Sequence, residues 1–173
     1  MNSRWEKLGL LYAPDDRERH PKLLTHAANP LPVALGGSLY RVYFSGRDAH
    51  NRSSIGAVDI DLVRKAVVTE YYEPFFEHGP PGSFHVDGVS IGNVFDWGEG
   101  RFIGFMGWQA PTGQHWRGDM GCLQLADDGS LCLASSEPWL AIDSVDPVSV
   151  SYPWVEALAD GGLQMWYGST LSW

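Results

Sequence analysis

Little in this sequence favours helices, membranes or nucleic acid. No stretch of ten or more residues carries a clean helical apolar period, so no amphipathic helix is expected. Apolar runs fall well short of the ~20 residues of a membrane span, and the N-terminus has no apolar signal core. The reading is a cytoplasmic protein with no membrane partner. Positive charge is scarce, with 12 Lys and Arg against 21 Asp and Glu and a formal net charge of -9. A phosphate-neutralising surface is therefore not expected, which argues against nucleic acid as a partner. Cysteine is nearly missing. Cys122 and Cys132 both lie in apolar stretches and are read as buried free thiols in a reduced compartment, with a pairing across the turn at Asp128-Gly129 left open. The six histidines show no short ligand spacing, so neither a metal site nor a cofactor is expected.

Aromatic residues, by contrast, are plentiful: eight Trp, seven Tyr and seven Phe beside four Met. They suit flat packing between sheets, and equally the stacking of sugar rings. One aromatic pattern occurs three times at intervals of about sixty residues: Val42-Tyr43-Phe44-Ser45-Gly46, Ile103-Gly104-Phe105-Met106-Gly107-Trp108 and Met165-Trp166-Tyr167-Gly168-Ser169. Upstream of each, at equal distance from Tyr43, Phe105 and Trp166, stand Pro30, Gly92 and Pro153. Glycine-rich turns separate the two parts, at Gly36-Gly37, Gly98-Glu99-Gly100 and Asp160-Gly161-Gly162. That is a repeated hairpin, and a strand-built period of this length suits the blades of a β-propeller.

The expected fold is all-β, with four-stranded antiparallel blades. Blade one covers about residues 25–72, blade two about 84–135, and a half blade about 148–173; Trp5–Tyr12 reads as a short strand belonging to another blade. The charged stretch Arg17, Arg19, His20, Lys22, interleaved with Asp15, Asp16 and Glu18, reads as a solvated loop. Two and a half blades leave an open strand edge. The expectation is a homo-oligomer joined through those edges, a piece of a longer ancestor, or both.

In such a fold the segments leading into the innermost strands, and the loops after the second strands, share one end of the central channel. Those segments are polar here. His26 and Asn29 precede the first aromatic hairpin, His85 and Asp87 the second, and Ser149, Ser151 and Tyr152 the third; Arg47, Asp48 and Trp108 follow second strands. Together they suit a sugar or polyol, with Trp108 or Tyr152 as an apolar platform. Asp87 has two readings, a catalytic carboxylate or the cap of a turn. Arg47-Asp48 is read either as an ion pair to the next blade or as a ligand-orienting pair.

His26-Ala27 with Pro30, Arg41–Asp48 with Asn51, Asp87-Gly88-Val89, Gly107-Trp108 and Met165-Trp166-Tyr167 together resemble the five-bladed propellers related to glycoside hydrolase families 43 and 32. The resemblance implies a carbohydrate ligand in the central channel and a partial five-bladed ring. It also implies a set of carboxylates for glycoside hydrolysis, of which Asp87 matches the second-blade position. The first-blade position presents His26 and Asn29, and the third presents Ser149, Ser151 and Tyr152, with no carboxylate at either. The expected function is thus a glycoside hydrolase-like protein acting on or binding a glycoside, the alternative being a non-catalytic binding or self-assembling module.

Overall fold

A computed structural model describes residues 5–15 and 17–173. Ten strands build it: β1 (Thr25–Gly36), β2 (Leu39–Arg47), β3 (Ser53–Asp61), β4 (Ala66–Glu70), β5 (Gly88–Trp97), β6 (Gly100–Gln109), β7 (Arg117–Leu125), β8 (Leu131–Leu133), β9 (Ser149–Ala157) and β10 (Leu163–Thr170). Among the described residues there is no helix, and hence none long and apolar enough to cross a membrane. Strands β1–β4 form one antiparallel meander and β5–β8 a second, while β9 and β10 stand as a two-stranded sheet. A single parallel bridge, Ser53 to Gly88, links the first two meanders. The all-β architecture and its division into two full blades and one hairpin follow the repeat in the sequence.

Each blade buries its faces against its neighbours. Tyr43, Ile55, Ala57, Phe84, Val89, Phe105 and Leu123 form the main core between blades one and two. Met106, Met120 and Val150 pack together between blade two and the half blade, as do Phe95, Cys122 and Val155. Strand β3 is buried along nearly its whole length, because strands flank both its edges and blade two and the N-terminal arm cover its faces.

A second repeat emerges only in the fold. Glu73-Pro74-Phe75-Phe76 and Glu137-Pro138-Trp139-Leu140 occupy matching places after the two full blades. Phe76 bridges Ile55 on β3, and Leu140 bridges Met120 on β7. Ile55 N–H donates to Phe76 O at 2.7 Å and Met120 N–H to Leu140 O at 2.8 Å. Each proline-aromatic segment thereby pairs with the mouth-side half of the third strand, where the short fourth strand does not reach.

Three expectations need correction. Trp5–Tyr12 forms no strand: a strand exists through its ladder, and this segment has no ladder partner among the described residues. The basic stretch is a loop with Arg17 and Glu18 exposed, but it is not wholly solvated. Arg19 is largely buried, bonds Glu70 at 2.7 Å and the Tyr12 hydroxyl at 2.9 Å, and clips the arm to blade one. Of the two cysteines, both free, Cys122 is buried but Cys132 is exposed. They also miss each other across the hairpin, where Cys132 faces Gln124.

Candidate functional site

Strand register defines the end of the sheets where the chemistry gathers. Thr25 lies opposite Arg47, Gly88 opposite Trp108, and Ser149 opposite Thr170. These three pairs mark a common mouth, with the glycine turns at the far end.

Midway along each innermost strand the ladder is interrupted by one extra residue. The interruptions fall between Ala28 and Leu31, Ile91 and Val94, and Ser151 and Trp154, the last facing Gly168 and Trp166. Such bulges bend a strand and re-aim its side chains. Here they converge on one cavity of about 260 Å³, lined by Asn29, Pro30, Ile91, Gly92, Tyr152, Pro153 and Trp154. Asn29 (φ 52°) and Tyr152 (φ 53°) are both left-handed, as is His26 (φ 65°) within the first bulged strand. For a residue other than glycine that conformation costs on the order of 1–3 kcal/mol, and such strain gathers at ligand sites.

Of the residues named from sequence, Asn29 and Tyr152 meet at this cavity. His26 is exposed, with Nδ1 2.8 Å from the Thr25 hydroxyl. Arg47 is half-buried at the end of β2 and makes no ion pair among the described residues. Asp48 is buried, and its partner is Arg52 of the same loop rather than Arg47 or a group on the next blade. One oxygen accepts the His50 and Arg52 N–H groups at 2.8 Å each, and the other meets Arg52 Nε at 2.8 Å. Burial pushes this carboxyl upward, but the Arg52 N–H and guanidinium and the His50 N–H outweigh it and hold the carboxyl below its ordinary value.

Asp87 acts as a cap. Its Oδ2 accepts the Ala110 N–H at 2.7 Å, which fixes the loop after β6. The Asp87 main chain also bonds Trp108 O and Ser53 N–H, at 3.1 Å each. Trp108 turns its indole N–H to Ser53 Oγ at 3.0 Å; that hydroxyl also accepts the Val89 N–H and donates to Val89 O. These contacts lock blade one to blade two. His85 is 4% exposed, stacks on Phe76 and packs against Phe84 and Phe105. Burial, and secondarily the nearby His78, hold its imidazole below the ordinary value.

Sequence reading missed Pro30, Ile91, Gly92, Pro153 and Trp154 as lining residues. The signal for them was the equal spacing of Pro30, Gly92 and Pro153, which marks the bulges rather than any chemistry. A larger cleft of about 920 Å³ opens at the turn end, bordered by Arg41, Asp96, Glu99, Arg101 and Asp128. Its half-buried Arg41 is already engaged, since it pairs with Asp59 and Tyr71 and donates to the Asp128 carbonyl. Among the described residues no three His, Cys, Asp or Glu side chains come together as a cation site.

Comparison of the backbone with solved structures matches sucrose-6-phosphate hydrolase from Lactobacillus gasseri, with a TM-score of 0.63 at 11% sequence identity over 87% of this chain and 30% of that one. The fold is that of a propeller. By sequence, the chain is similar to an uncharacterized protein of Mycobacterium tuberculosis, found in strains CDC 1551 and H37Rv and 39% identical over 171 residues in each. The match takes in 98% of this chain and 56% of the relative, so the chain spans little more than half the length of the curated proteins it matches. No family model matches the sequence.

Proposed function

We propose that this chain is the carbohydrate-binding part of a propeller, holding a glycoside at the axial cavity. The observation that carries the reading is the cavity where the three bulged strands meet. Tyr152 and Trp154 supply aromatic faces and Asn29 an amide, a combination suited to a sugar's apolar ring face and its hydroxyl groups. Hydrolysis requires two carboxyl groups roughly 5–9.5 Å apart. No acidic residue lines this cavity, and Asp87 commits one oxygen to Ala110, which favours binding over turnover by this chain. The resemblance to glycoside hydrolase families 43 and 32 supports the carbohydrate class. It also supports the finer reading of a five-bladed ring to which this chain contributes two and a half blades.

A second reading is hydrolysis within a larger assembly, with Asp87 as one carboxylate. It is favoured by the other Asp87 oxygen, which takes no hydrogen bond among the described residues, and by the position of Asp87 at the mouth.

Titration of neutral mono- and disaccharides into isotope-labelled protein tests the first reading. Shifts are expected at the Asn29, Gly92 and Tyr152 amides, and they should vanish in Tyr152→Ala and Trp154→Ala. No shift at saturating sugar would refute it. A panel of nitrophenyl glycosides tests the second: turnover that disappears in Asp87→Ala would establish hydrolysis in place of simple binding.

A further inference from the structure

Lysine and arginine are few in this chain, and most of them are answered by an acid. Among the described residues the Lys and Arg side chains without an ion pair are Lys7, Arg47 and Arg64. Lys7 and Arg64 stand exposed in water, whereas Arg47 is half-buried. A guanidinium drawn partly out of water without a partner is unfavourable, and a bound anion offsets that cost.

The fold sets this cation beside the sugar cavity. Strands β2 and β3 pair without a break from Leu39 to Arg47, so Tyr43, Ser45 and Arg47 share one face with Ala57, Ile55 and Ser53 opposite them. Tyr43, Ile55 and Ala57 bury that face against blade two. Ser53 Oγ, across from Arg47, holds the Trp108 indole N–H at 3.0 Å, which brings an aromatic side chain to the same part of the mouth. Ser45 is 4% exposed, and its hydroxyl has no hydrogen-bond partner among the described residues. It lies opposite Ala28, the residue before the cavity's Asn29, and about 7 Å along the strand from Arg47. A buried hydroxyl without a partner thus stands between the cavity and the unpaired guanidinium.

Charge and shape choose the anion. Arg52, in the loop that follows Arg47, is held by Asp48, so Arg47 faces a ligand as a single cation. Asp87 makes no ion pair with Arg47, its carboxylate being turned to the Ala110 N–H at 2.7 Å. One planar guanidinium matches a carboxylate in bidentate fashion and balances its one charge. A phosphate monoester carries about 1.5–2 negative charges at neutral pH and would call for more.

We infer that the glycoside held at the axial cavity is acidic: a uronic acid whose carboxylate pairs with Arg47, the Ser45 hydroxyl donating to the same ligand. This rests on the axial cavity as the sugar site and adds the substrate class to it.

Titration of glucose, galactose and mannose, each beside its uronate and its 6-phosphate, into isotope-labelled protein tests it. One of the uronates is expected to bind at least about tenfold tighter than its neutral parent, the effect of one charge-assisted pair, and the advantage should shrink as salt rises. That uronate should shift the Arg47 side-chain Nε–H as well as the Asn29 and Tyr152 amides, and the neutral sugar the amides alone. In Arg47→Gln the ratio of uronate to neutral affinity should fall to about one. Neutral and acidic sugars that bind alike overturn the inference while the cavity reading stands. So does a preference kept by Arg47→Gln, or a 6-phosphate that binds tighter than the uronate. An Arg47 Nε–H that ignores every uronate decides against it without any variant. If no sugar of either class moves the Asn29 and Tyr152 amides, the cavity reading fails and this inference with it.

Discussion

The side-chain amide of Asn93 takes both main-chain groups of Val155. Nδ2 donates to the Val155 carbonyl at 2.7 Å, and Oδ1 accepts the Val155 N–H at 2.7 Å. Asn93 sits in the bulge of β5 and Val155 in β9, so one side chain stands in for a ladder rung between sheets that share none. Asn93→Ala leaves a buried donor and acceptor unpaired and should destabilise the protein by about 1–3 kcal/mol. Asn93→Asp should be at least as harmful, because a carboxylate cannot donate to the carbonyl. Urea denaturation, with hydrogen exchange at Val155, measures both.

Gly92 faces Pro153 across the same junction. A Cβ at position 92 would lie 2.3 Å from the Pro153 carbonyl oxygen and 2.8 Å from that of Gly104. Both are main-chain atoms that cannot swing aside. Gly92→Ala should therefore lower stability by about 1–3 kcal/mol through overpacking, and should also disturb the axial cavity. A lower midpoint in urea, together with shifted Tyr152 and Pro153 resonances, is the expected result.

Acid should loosen the join between blades one and two. Burial and the neighbouring His78 hold the His85 imidazole below its ordinary value, so folding favours the neutral ring. The stability this contributes is fully present above the unfolded-state value of about 6.5, and it is lost as pH falls through the folded value. Melting temperatures measured from pH 8 down to pH 5 should drop for the natural chain. The drop should be smaller in His85→Gln, which has no proton to gain.

The two thiols should react very differently. Burial pushes the Cys122 thiol up to about 12, and its side chain is enclosed with Phe95 and Val155. Cys132 is exposed. A thiol reagent at neutral pH should modify Cys132 alone in the folded protein and both residues after unfolding. Mass spectrometry of the labelled peptides reads the outcome directly.

Strand number and pairing were legible in the residues themselves. Local alternation and glycine turns such as Gly36-Gly37 and Asp128-Gly129 define hairpins over a few residues, and the recurrence of Tyr43, Phe105 and Trp166 announces like units packed in series. The cap at Asp87 was foreseen as one of two readings, since a carboxylate before a strand satisfies nearby N–H groups by local geometry. Trp5–Tyr12 could not be judged from its own composition, because a strand depends on a partner that the segment does not carry.

The site itself was decided by tertiary structure. Pro30, Gly92 and Pro153 are equally spaced in sequence, but only the packing of β1, β5 and β9 turns that spacing into three bulges around one cavity. Asn93 meets Val155, and Trp108 meets Ser53, across 62 and 55 residues of chain. Nothing local distinguishes those side chains from ones that reach for solvent or ligand. Alternation and turn chemistry act over a few residues and can be read along the chain, whereas the choice between a structural bond and a binding role depends on which surfaces the blades bring together.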